Sequence, residues 1–165
     1  MIIGVIMLNS KQLIAKINKA FIDKNYLEVI DYCDIILESD NKNLNALLKK
    51  GDALSQLGRN DEAIDCFKLI LEDNKKIIPA WTNLGYSYLD IEDYPKAIDC
   101  FEEVLSLNPN AIPALTGKSM ACIKLEDYNG AIECFDKLLE FDSSNENILK
   151  QRELIYKRLE NQNND

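Results

Sequence analysis

The chain has 165 residues and a formal net charge of −9, with 19 basic against 28 acidic side chains and no histidine. An acidic balance lacks the basic face that binding of nucleic acid requires. Without histidine there is no Ser-His-Asp or Cys-His pairing, and the commonest general base is missing. No stretch approaches the roughly 20 apolar residues that span a bilayer.

In chain order, residues 1–7 are apolar but lack the positive leading segment and cleavage pattern of a signal peptide. They are expected to form an N-terminal extension before a single domain over 8–160. A helix is expected from about Leu8 to Asp23, with Asn9 or Ser10 as its cap, and a partner from Tyr26 to Glu38. The second pair reads Leu44 to Leu57 and Asn60 to Asp73, with Gly58 able to end the first of the two. In the third pair Trp81, Leu84, Gly85 and Tyr88 share one helical face and Ala97, Phe101 and Val104 another. Between them lies a polar break ending in Pro95, suited to a first helical turn. Asn108-Pro109 is expected to stop the second helix, because a residue before proline avoids the helical region. A fourth pair follows. Then Ile148, Leu149, Ile155, Tyr156 and Leu159 give one more helical stripe, with charges around it, as an end-cap should. Residues 161–165 are expected to be a disordered tail.

A period of 34 residues orders all of this. The run from Lys96 to Leu105, KAIDCFEEVL, answers to EAIDCFKLIL (Glu62 to Leu71) and to GAIECFDKLL (Gly130 to Leu139). Gly51 aligns with Gly85 and Ser119, small residues that allow two helices to cross closely, while Phe67, Phe101 and Phe135 fill the space between. In the first copy Ile17 and Cys33 stand at these two places, opposite changes that roughly conserve volume. The repeats are therefore about 10–43 (divergent), 44–77, 78–111 and 112–145, with a capping helix over 146–160.

Trp81, Leu84, Gly85, Tyr88, Ala97, Phe101 and Pro109 closely resemble the pattern of a tetratricopeptide repeat. The resemblance implies an all-α fold, a right-handed α-α superhelix (solenoid) of helix-turn-helix repeats whose first helices line a concave groove. It also implies that the groove takes a peptide segment of a partner protein. The matching groove positions are Asn18, Phe21 and Ile22 in the first repeat and Asn45, Leu48, Lys49, Asp52 and Gln56 in the second. In the third they are Thr82, Asn83, Tyr86, Leu89 and Asp90, and in the fourth Thr116, Gly117, Met120, Ile123 and Lys124. Some members grip a C-terminal carboxylate with lysine, asparagine, asparagine, lysine and arginine. Here those places hold Leu48, Asp52, Asn83, Pro113 and Gly117 in one register and Ile14, Asn18, Lys49, Pro79 and Asn83 in the other. Neither supplies the basic pair at the far end, so no such clamp is read.

Asparagine amides can hold a peptide backbone as donor and acceptor, and Tyr86 and Met120 offer an aromatic and an adaptable apolar wall. Asp52, Tyr86 and Met120 lie 34 residues apart and make a row of acid, aromatic and thioether. That row favours a partner peptide with a basic residue followed by an apolar one. Alanine at Asn83 and Tyr86 is expected to weaken capture and leave the melt nearly unchanged.

The remaining chemistry is sparse. Paired carboxylates such as Asp61-Glu62 and Glu102-Glu103 fall at helix ends or outer faces, where solvation accounts for them, and the six glycines are scattered singly rather than gathered in a phosphate loop. The five cysteines form no C-x-x-C pair, so neither a metal nor a cofactor is expected, and reduced, half-buried thiols in the cytoplasm are. The expected protein is a non-catalytic protein-protein interaction module. The alternative is a structural scaffold that homodimerises through the first repeat or the end of the stack.

Overall fold

The computed structural model of the protein describes residues 9–162. The apolar extension expected over 1–7 and the last three residues of the tail lie outside the described residues. Among the described residues there are nine α-helices and no strand. They are α1 (Ser10–Ile22), α2 (Tyr26–Ser39), α3 (Leu44–Gln56), α4 (Asn60–Asp73) and α5 (Ile78–Asp90). α6 (Tyr94–Leu107), α7 (Ile112–Lys124), α8 (Tyr128–Phe141) and α9 (Glu146–Gln162) follow. The last helix runs two residues into the stretch expected to be disordered.

Two compact units divide the chain, Met1–Asn83 and Leu84–Asp165, with the division inside α5. In the first unit α1 packs on α2, α2 on α3 and α3 on α4; in the second α6 packs on α7, α7 on α8 and α8 on α9. The core of each follows the aromatic register. Phe67 and Phe101 are fully buried and Phe135 nearly so, each with an alanine four residues earlier (Ala63, Ala97, Ala131) equally buried. A side chain at Gly51 would start 2.5 Å from Phe67 Cε1, and one at Gly85 would start 2.7 Å from Phe101 Cε1. The two glycines are small because the rings already occupy their space. In the first repeat Ile17 and Cys33 are both buried, consistent with their exchanged sizes.

Of the two expected caps of α1, the structure uses one, and the other helix ends share common devices. Asn9, not Ser10, caps α1: its side chain accepts from the Gln12 backbone while Gln12 reaches back to the Asn9 N–H, both at 3.0 Å. Each first helix then ends in a left-handed residue at the same register, Lys24, Gly58, Glu92 and Glu126, with φ of 57°, 72°, 61° and 59°. In every copy the next N–H donates five residues back, as Arg59 does to Leu54 O and Asp127 to Cys122 O, both at 2.9 Å. This pairing satisfies carbonyls that the helix end leaves open. The second helices stop at Asp40, Asn74, Asn108 and Asp142. Three of these accept from the backbone two residues on: Lys76 N at 2.9 Å, and Asn110 N and Ser144 N at 3.2 Å. Asn108 therefore ends α6 by the same side-chain turn as the copies that lack proline, and Pro109 is an addition to it.

α9 lays Ile155, which is buried, and the partly buried Ile148 and Leu159 against the cluster of Leu115, Ile132 and Phe135. Tyr156, expected on that stripe, is exposed, because it follows Ile155 by one residue and so points about 100° away around the helix. No helix among the described residues is long and apolar enough to cross a membrane.

Candidate functional site

A cleft of about 620 Å³ opens in the first unit. Its walls carry Asn18 and Ile14 from α1, Asn45, Leu48, Lys49 and Asp52 from α3, and Pro79 and Asn83 from the start of α5. The α2–α3 connection contributes Asp40 and Asn43. All five residues of the earlier clamp register, Ile14, Asn18, Lys49, Pro79 and Asn83, line it. The basic residues such a clamp needs at its far end are here an uncharged proline and an asparagine.

Helical spacing explains why α3 supplies so much of this wall. Asn45, Leu48, Lys49 and Asp52 recur at intervals of three and four and lie on one face, while Ala46, Leu47, Ala53 and Leu54 turn into the core. Lys49 Nζ stands 4.7 Å from the centre of the Phe21 ring, a cation over an aromatic face. The Asp52 carboxylate accepts from the Asn83 side-chain amide. Burial pushes the Asp52 carboxyl above its ordinary range, against the opposing pull of the Lys49 ammonium and the Asn83 hydrogen bond.

Six of the predicted groove residues thus meet in one place: Asn18, Asn45, Leu48, Lys49, Asp52 and Asn83. Phe21 enters as the support of Lys49, and Gln56 accepts from the Tyr26 hydroxyl at 3.4 Å. The others stand elsewhere. The Thr82 hydroxyl is turned onto its own helix, donating to Ile78 O at 2.9 Å. Asp90, Thr116, Met120 and Lys124 are exposed on α5 and α7. Tyr86 is half-buried: its hydroxyl donates to Pro113 O at 2.9 Å, and its ring meets Phe101 edge-on with 5.3 Å between centroids. Asn83 and Tyr86 are therefore both engaged within the chain. Gly117 and Ile123 lie against the core. A side chain at Gly117 would run into the Phe101 ring, and Ile123 packs against the α7–α9 core cluster. Sequence reading missed Asp40 and Asn43 in the cleft; the signal was their place in the connection between repeats, where Asp40 ends α2 and Asn43 caps α3.

Among the described residues no group of acidic or cysteine side chains is arranged to hold a metal ion. All five cysteines are buried. Burial pushes the thiols of Cys33 and Cys122 up to about 12, so neither is a nucleophilic thiolate at neutral pH.

Comparison with solved structures shows the same arrangement of helices elsewhere. MamA from Desulfovibrio magneticus RS-1 superposes with a TM-score of 0.84 at 19% identity, over 91% of this chain and 85% of that one. A tetratricopeptide repeat protein from Parabacteroides merdae gives 0.82 at 21% identity, over 92% of this chain and 60% of that one. The first tetratricopeptide domain of Spaghetti (RPAP3), solved with an HSP90 peptide, gives 0.67 at 22% identity, over 73% of this chain and 95% of that one. Comparison of the sequence with curated proteins yields no match. Two family models, both described as the tetratricopeptide repeat, match this sequence, one over residues 78–111 and the other over 44–73 and 112–145. With three copies matched in register over more than half of its length, the chain belongs to the tetratricopeptide repeat family, an all-α fold of helix-turn-helix repeats.

Proposed function

We propose that this protein is a non-catalytic interaction module that holds a peptide segment of a partner protein along the first helices of its repeats. The observation that carries this reading is the cleft of the first unit, where three asparagine amides, Asn18, Asn45 and Asn83, stand beside the apolar Ile14 and Leu48. Amides that both donate and accept suit a peptide backbone, and Leu48 offers an apolar contact to a side chain. A structural relative was solved with a peptide of HSP90, which supports peptide binding as a use of this fold.

The partner segment carries a basic residue for Asp52 and an apolar residue for the wall that Ile14 and Leu48 offer. The net charge of −9 speeds the approach of such a ligand. Five buried thiols fit a reducing compartment, and we place the module in the cytoplasm. The test is capture of partners from the source cell by the native chain and by an Asn18→Ala, Leu48→Ala double variant. Capture falls about tenfold or more if the two side chains together contribute about 1.4 kcal/mol, with the melt little changed. Undiminished capture by a folded variant would remove the cleft from the function. The scaffold reading makes a separate prediction: the molar mass in solution doubles with rising protein concentration.

A further inference from the structure

Lys49 and Asp52 are three residues apart on α3, a spacing at which opposite charges on one helix face lie within reach of each other. They do not close. The Lys49 ammonium is drawn over the Phe21 ring of α1 at 4.7 Å. Among the described residues no carboxylate oxygen lies within 4.0 Å of it. The Asp52 carboxylate is held from the other side by the Asn83 amide of α5. The third charged group in the cleft wall, Asp40, accepts from Asn43 Nδ2 at 3.1 Å. The cleft therefore displays an ammonium and a carboxylate side by side, each anchored by a different helix.

We propose that the cleft selects a peptide segment bearing an acidic and a basic side chain as close neighbours, the acid set on Lys49 and the base on Asp52. This rests on the peptide-binding reading above and deepens it by naming the second charge. Lys49 has three N–H donors, and stacking on a ring face leaves them available to an incoming carboxylate. Asp52 has two acceptor oxygens and accepts one hydrogen bond from Asn83, so a guanidinium or ammonium finds an acceptor there. A purely acidic ligand is repelled by the protein's net charge of −9. A purely basic one leaves Lys49 opposed by like charge. A segment with both charges satisfies the pair, and the order of its charges fixes the direction in which it lies.

The test is selection from a random displayed library of ten-residue peptides on the full chain and on its Lys49→Glu, Lys49→Met and Asp52→Lys variants. Circular dichroism checks that each variant is folded, and a photo-crosslinking analogue of each selected peptide maps its site. The native chain is expected to enrich neighbouring acid-base pairs. Lys49→Glu and Lys49→Met should lose the acidic preference and keep the basic one, and Asp52→Lys should do the reverse. Either charge change should weaken a selected peptide about tenfold. Peptides that crosslink to the cleft but show no acidic preference, or the same preference on Lys49→Glu, overturn the inference and leave the peptide-binding reading standing. Crosslinks confined to other surfaces, or a library without binders, overturn both.

Discussion

The Lys118 ammonium of α7 stands 2.7 Å from the Glu102 carboxylate of α6, sixteen residues back in the chain. The same interval joins Lys50 to Asp34 in the first unit and Arg152 to Asp136 in the second, each at 2.6 Å. Two of the pairs tie a second helix to the first helix of the next repeat, and the third ties α8 to the capping helix α9. The register is that of the repeat itself, since Asp34, Glu102 and Asp136 stand at equivalent places. At the remaining copy the sequence has Lys68 and Leu84, and a leucine carries no charge. A double-mutant cycle on Glu102→Gln and Lys118→Met should give a coupling of about 0.2–1 kcal/mol, because the carboxylate is 55% exposed. A coupling of zero would reduce the pair to a crystal-like coincidence of long side chains with no share in joining repeats.

Phe101 sits between two glycines of the second unit, Gly85 and Gly117. Phe101→Ala should cost about 3–5 kcal/mol through lost transfer and the cavity left behind. Gly117→Ala acts in the opposite sense by forcing a methyl group into a fully buried ring, at about 1–3 kcal/mol. Combining the two should recover part of the loss, since the smaller side chain makes room for the new methyl. Thermal or denaturant melts of the three variants check this. Strict additivity would show that the ring and the glycine do not share space.

Removing the chain from Asn145 onward takes away α9 and uncovers the cluster of Leu115, Ile132 and Phe135 that Ile155 now seals. The shortened protein should keep most of its helicity, melt lower and aggregate more readily, as an uncapped repeat does. Circular dichroism and light scattering provide the readout. A monomer of undiminished stability would mean that α9 is an appendage and not a cap.

Asp52 titrates above its ordinary range in the folded chain, with burial as the leading cause. Between the ordinary value and the raised one the folded state holds more protons than the unfolded state. This group therefore makes stability fall as pH rises through that window. Asp52→Asn removes the ionisation, so it should raise Tm at neutral pH, and the gain should fade as the pair of proteins is acidified. Melts across that range decide it. A gain that grows on acidification would show that Lys49 and Asn83 outweigh burial.

The repeat, the helices and the core are legible in the residue order, because these depend on local spacing. Small residues at Gly51 and Gly85, the aromatic at Phe67, Phe101 and Phe135, and the apolar intervals of three and four are read without knowing what lies opposite. The turns were half legible. Gly58 announced its left-handed conformation, but Lys24, Glu92 and Glu126 adopt it too, since the hydrogen bonds closing the turn outweigh their steric preference. The cleft was legible only as a set of outward positions. Which of them meet depends on side chains from α1, α3 and α5, separated by some thirty residues at each step, and no local rule reports that. Tertiary structure alone decided that Tyr86 reaches Pro113 O, that Asn83 is taken by Asp52, and that Lys49 leaves Asp52 for the ring of Phe21. The physical reason is competition: each polar group has several partners within its sequence-allowed reach, and only the packed neighbours select one.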